Sequence, residues 1–180
     1  MILLGCESMD AKGAARRLLT LALKKGYGLA ATPPMALGPC GKPFFPDYPR
    51  IHFNLSHSGP YALCAVGGAA VGVDVETLRP RAAALPRRVF TAEEYGWYEA
   101  QGAEWPAFYT LWTRKESWCK QQGSGVARPR TVCPPLPGEE GGGPAVTGLS
   151  GPGWVGAVCS VEAVGALDWI EFSHVPQVTY

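Results

Sequence analysis

The chain has 180 residues, 47% apolar and 17% charged, which is enough apolar side chain for one domain or two small lobes with a real core. Its net charge of +1 gives no broad basic field for nucleic acid, and no apolar run nears the roughly 18 residues that span a membrane. Six cysteines, at 6, 40, 64, 119, 133 and 159, form no CxxC pair and match no zinc spacing, so they read as reduced thiols of a cytoplasmic protein.

Residues 3–6, LLGC, lack the basic start and long apolar stretch of a lipoprotein leader. The first expected helix covers 10–25. Leu18, Leu19, Leu21 and Leu23 supply its apolar face, Asp10 its N-cap and Gly26 its stop. Residues 29–50 are broken by Pro and Gly and hold at most a short strand near 35–37. Strands are expected at 51–55, 61–66 and 70–76, with Gly67–Gly68 as a tight hairpin turn between the last two. The sequence TLRPR at 77–81 breaks the pattern and marks a boundary between halves. Beyond it comes a short helix interrupted by Pro86. A helix over 92–100 follows, capped by Thr91 with Glu94, and then a longer one over about 104–121 ended by Gly123 and Gly125. Residues 134–144 read as a loop or a disordered insert, and strands return at about 145–149, 154–161 and 167–173. Both halves thus run helix, then antiparallel strands, a weak sign of duplication.

Three stretches carry chemistry. In VGVDVE (71–76), Val71, Val73 and Val75 share one face of a strand, and Gly72, Asp74 and Glu76 share the other. The two carboxylates sit roughly 7 Å apart along the strand and repel unless a positive charge lies between them. An edge strand with a solvated face and half of a metal site both fit. In WTRKESWCK (112–120), Glu116 and Lys120 are four apart on one helix face, a spacing common in surface ion pairs. In FNLSHSG (53–59), Ser56, His57 and Ser58 follow a strand. Ser56 and His57 are a poor nucleophile–base pair, because neighbours in an extended chain point apart.

Together these stretches resemble the 4′-phosphopantetheinyl transferases of the surfactin-synthetase-activating (Sfp) type. That signature is a G-(I/V)-D-(I/V)-E strand followed some forty residues later by a (W/F)-(S/T)-x-K-E-(S/A)-x-x-K helix. Here it reads Gly72-Val73-Asp74-Val75-Glu76 and Trp112 to Lys120. GKP at 41–43, FNLSHSG and KQQGSGV at 120–126 fit the same family.

The resemblance implies an α+β fold of two similar lobes, each with a long helix packed on an antiparallel three-stranded sheet, related by a pseudo-twofold. The lobes would span 1–77 and 78–180, with the active site between them and Asp74 and Glu76 ending the first lobe's sheet. It implies an Mg²⁺-dependent monomeric enzyme, with Mn²⁺ also able to serve. Phosphopantetheine would pass from coenzyme A to a serine of an apo acyl or peptidyl carrier protein, releasing adenosine 3′,5′-bisphosphate. Asp74, Glu76 and Glu116 would hold the metal, and Glu116 would be the base. Lys120 would face a phosphate, and Lys42, Ser56 and His57 would hold the coenzyme's phosphates. No nucleic acid or membrane enters this picture. A non-catalytic carrier-binding module and a coenzyme A pyrophosphatase remain as rivals. Members of the family usually carry a longer segment before the first helix, with basic residues for the coenzyme's 3′-phosphate, whereas here nine residues precede Asp10.

Overall fold

The computed structural model describes residues 1–139 and 142–171. Residues 140–141 of the expected loop and 172–173 of the last expected strand lie outside them.

The chain opens with β1 (Ile2–Glu7), which the sequence reading missed. The run is short and apolar, and it is buried over Leu3–Cys6 on both faces, so it shows no alternation to read. Helix α1 (Ala11–Tyr27) starts at Asp10, whose side chain accepts from the Gly13 amide, and continues past Gly26. It stops at Gly28, whose φ of 68° is the left-handed conformation that glycine adopts without strain. A two-stranded ribbon follows, β2 (Ala36–Leu37) with β3 (Pro43–Phe44). Next come β4 (His52–Ser58), β5 (Tyr61–Gly67) and β6 (Val71–Thr77). The stretch Ser56–Ser58 is therefore part of strand β4 rather than a loop after it.

Helix α2 (Leu85–Val89) begins with Pro86 in its first turn, where a missing N–H costs nothing, so the proline starts this helix instead of interrupting it. Helix α3 (Ala92–Ala100) has the expected capping box. Helix α4 (Trp105–Gln122) ends at Gly123, again left-handed, and strands β7 (Ala145–Gly151), β8 (Trp154–Ser160) and β9 (Asp168–Trp169) follow among the described residues.

Strand pairing departs from the expected hairpin at Gly67–Gly68. Strand β5 pairs with β1 and β4, whereas β6 pairs with β8. One sheet has the order β4-β5-β1-β9 and the other β6-β8-β7. Among the described residues the first sheet therefore has four strands, not three, and β6 belongs to the second sheet, not to the end of the first. Strand β9 makes the opposite crossing and pairs parallel with β1. The segment β1-α1-β4-β5 and the segment β6-α4-β7-β8 follow the same course, a strand, a helix and a hairpin that folds back beside the first strand.

The sheets stack between the two long helices. Leu18, Leu19 and Leu23 of α1 pack on Leu4, Cys6, Cys64 and Val66, on one face of the first sheet. Leu3, Leu63 and Ala65 on its other face meet Val71, Val73, Val75 and Val158 of the second. A third cluster joins Phe90 and Tyr98 to Phe108, Tyr109 and Leu111 of α4. Each fully buried leucine or valine contributes roughly 1.5–3 kcal/mol relative to exposure, so the valine face of β6 cements the two sheets. Among the described residues no helix is long and apolar enough to cross a membrane.

Candidate active site

The site begins with β6. Its valines face the first sheet, which turns Gly72, Asp74 and Glu76 toward α4. A Cβ on Gly72 would lie 2.0 Å from the Ser117 carbonyl oxygen and 2.3 Å from the Gln121 amide nitrogen. The missing side chain lets the helix backbone press on the strand and brings Glu116 and Lys120 over Asp74. Asp74 is 4% exposed, which rules out the solvated-edge reading of VGVDVE.

Asp74 is held on one oxygen and bare on the other. Its Oδ1 accepts from the Lys120 ammonium at 2.6 Å and from the Ser56 hydroxyl at 2.9 Å. Its Oδ2 is buried and has no hydrogen-bond partner among the described residues. Burial pushes the Asp74 carboxyl up from its ordinary value, while Lys120 and Ser56 pull it back. Glu116, half-buried, is also raised, first by burial and then by the negative charges of Asp74 and Glu76, with Lys120 opposing. Three carboxyl groups from two distant segments are thus close enough to repel one another.

Among the described residues no three His, Cys, Asp or Glu side chains form a ready-made metal cage, and an ammonium, that of Lys120, lies against Asp74. The donor set nevertheless suits a hard divalent cation. All three groups offer oxygen, one of those oxygens is buried without a donor, and their mutual repulsion calls for positive charge.

The remaining expected site residues are placed differently. Lys42 donates to the carbonyls of Val71 and Gln121, both at 2.9 Å, and so ties the start of β6 to the end of α4. Ser56 is buried in the network around Asp74. His57 is exposed and, by strand alternation, lies on the opposite side of β4 from Ser56. Lys42, Asn54, Glu116, Lys120 and the Gly123–Gly125 turn line a groove of about 280 Å³.

Several contacts escaped sequence reasoning. Asn54, Ser56 and Ser58 accept from the amides of Val73, Val75 and Thr77. Side chains of β4 therefore satisfy an edge of β6 that no strand backbone among the described residues covers. Ser58 also donates to Glu76 Oε2 at 2.8 Å. The legible signal was the polar alternation Asn54-Ser56-Ser58. Next to Glu116, Arg114 and Lys115 point inward: Lys115, fully buried, pairs with Glu94 and donates to the Pro129 carbonyl. Arg114 donates to the carbonyls of Pro135 and Val146. These bonds fix the rear of α4 against α3, the 129–136 segment and β7.

Known proteins of similar sequence share the stretch that carries these elements. Residues 70–147 match the sequence model of the 4′-phosphopantetheinyl transferase superfamily. A 4′-phosphopantetheinyl transferase of Bacillus subtilis is 37% identical over 115 residues, covering 62% of this chain and 51% of that protein. The 4′-phosphopantetheinyl transferase Sfp of Bacillus subtilis strain 168 is 40% identical over 91 residues, 49% of this chain and 41% of its own. The 4′-phosphopantetheinyl transferase AcpT of Salmonella typhi is 39% identical over 114 residues, 61% and 59% respectively. The chain spans about half the length of the curated relatives it matches. Over residues 70–147, which carry β6, α4 and the start of β7, its sequence is similar to that of the 4′-phosphopantetheinyl transferase superfamily.

Proposed function

We propose that this chain transfers the 4′-phosphopantetheine group from coenzyme A to a serine of an apo acyl or peptidyl carrier protein and releases adenosine 3′,5′-bisphosphate. The observation that carries the reading is the buried Asp74 carboxylate, bare on Oδ2, with Glu116 and Lys120 of α4 brought over it. In this reading the chain acts as two lobes, 1–77 and 78–180, related by a pseudo-twofold, with the active site between them. The pairing of β6 with β8 moves that strand into the second lobe's sheet.

Asp74, Glu76 and Glu116 are the residues proposed to hold Mg²⁺ or Mn²⁺. When bound, the cation would neutralise the pyrophosphate of coenzyme A and the charge that grows on its leaving group. Glu116 takes the proton of the carrier serine hydroxyl. The serine oxygen forms a bond to the β-phosphorus as the bridging P–O bond to the adenosine bisphosphate breaks. Lys120 presents a point charge to a phosphate along the groove it lines. Lys42 at the groove, Ser56 behind it and His57 on the outer side of β4 are the remaining residues proposed around the coenzyme. Positioning and electrostatics supply the rate, and no covalent enzyme intermediate is needed.

The test is mass spectrometry of an apo carrier protein incubated with the chain, coenzyme A and Mg²⁺. The carrier should gain about 340 Da, the mass of the transferred group, and Asp74→Ala and Glu116→Ala should each abolish the gain. An unmodified carrier, or two fully active variants, would overturn the assignment. Phosphopantetheine released with no carrier present would identify a pyrophosphatase instead.

A further inference from the structure

The geometry points to Ser56 and Ser58 as positioning residues that hold Asp74 and Glu76 in the orientation a shared divalent cation requires. The inference rests on the reading that these carboxylates bind the metal.

The two serines are equivalent rungs of one ladder. Ser56 Oγ stands 2.9 Å from Asp74 Oδ1, and Ser58 Oγ stands 2.8 Å from Glu76 Oε2, each serine 18 residues before its acid. Both oxygens also accept a backbone amide of β6, from Val75 at 3.3 Å and from Thr77 at 3.1 Å. A serine hydroxyl has one hydrogen to give. With an amide donating to the oxygen from the strand, that hydrogen is directed at the carboxylate. At Ser56 the Lys120 ammonium adds a second donor at 3.2 Å, which leaves Asp74 as the acceptor for the hydroxyl hydrogen. Asn54 makes the corresponding amide bond one rung earlier, to Val73, where the strand carries no carboxylate.

The consequence is selective. On Asp74, the oxygen that Ser56 and Lys120 engage is saturated, and the other is buried without a donor. The hydroxyl, together with the ammonium, therefore fixes which oxygen is left to face a cation and restrains the carboxylate from rotating. Such outer partners of metal ligands orient them and raise their affinity for the ion. If the serines only sealed the edge of β6, replacing them would cost stability and leave metal affinity intact.

Mn²⁺ binding to the chain without coenzyme A, followed by electron paramagnetic resonance, separates the two roles. Ser56→Ala and Ser58→Ala should each weaken Mn²⁺ roughly tenfold in protein that remains folded by circular dichroism. Ser58→Thr, which keeps a hydroxyl, should restore most of the affinity. In the transfer assay Ser58→Ala should need more Mg²⁺ for half-maximal rate, with kcat recovered at saturating Mg²⁺. Ser58 lies at the partly exposed end of the ladder, so its variants carry the test even if Ser56→Ala does not fold. Wild-type Mn²⁺ affinity in folded Ser58→Ala overturns the inference and leaves the proposed function standing. A wild-type chain that binds no Mn²⁺, or Asp74→Ala that binds it normally, overturns the inference together with the metal-site reading beneath it.

Discussion

Glu116 shows how the site works against the stability of the fold. Burial and the charges of Asp74 and Glu76 hold its carboxyl above the ordinary value of 4.5. The folded chain therefore binds this proton more tightly than the unfolded one. The stability involved is fully present below pH 4.5 and is lost as pH rises through the raised folded value. Glu116→Gln removes the penalty. In thermal melts without divalent metal the variant should outlast the wild type near neutral pH, and the gap should close as pH falls toward 4.5. An equal or lower melting temperature at neutral pH would contradict this electrostatic account. At this scale Asp74, Glu116 and Lys120 were legible because their spacing within each motif is local. The bond from Ser56 to Asp74 was not, because hydrogen bonds between separate sheets leave no period in the chain.

Among the elements, the contact between β6 and α4 determines whether a site exists. Both elements were readable, β6 from its valine alternation and α4 from Phe108 and Leu111 with a glycine stop at 123. Their mutual approach depends on Gly72. Gly72→Ala places a methyl group against the backbone atoms of Ser117 and Gln121, which cannot rotate away as a side chain could. Urea denaturation should show a loss of about 1–3 kcal/mol or more, the usual cost of overpacking. Carrier modification should fall with it, since α4 carries Glu116 and Lys120. Wild-type stability and activity would mean that the helix can shift at no cost. Two elements were misread for related reasons. β1 hides both faces and has no alternation, and a proline that opens α2 looks in sequence like one that breaks it.

For the molecule as a whole, strands are exchanged between the halves. Strand β6 leaves the first half for the second sheet, and β9 returns to pair with β1, where Trp169 stacks on Trp154 at 5.3 Å. A measurable property of the closed fold is the shielding of the thiols. Cys6, Cys64, Cys119 and Cys159 are buried, whereas Cys40 and Cys133 are exposed, and all six are free. Burial pushes Cys6 up to about 11 and Cys159 up to about 12, so little thiolate forms there near neutral pH. A disulfide-exchange reagent should titrate two thiols in the native chain and six after denaturation. Four or more fast native thiols would show that the sheets do not close over them.

By itself the sequence determined the mixed α+β class and the two long helices, with Asp10 opening the first and Gly123 closing the second, and it named the acids and lysines proposed for the candidate chemistry. Periodicity, capping and motif spacing are encoded within a few residues of one another. The tertiary structure alone decided that β6 joins the second sheet, that β4 seals its edge with Asn54, Ser56 and Ser58, and that Lys120 sits on Asp74. A hydrophobic strand states that it must be buried but not against which partner. That choice is made by backbone hydrogen bonds and close packing between residues far apart in the chain.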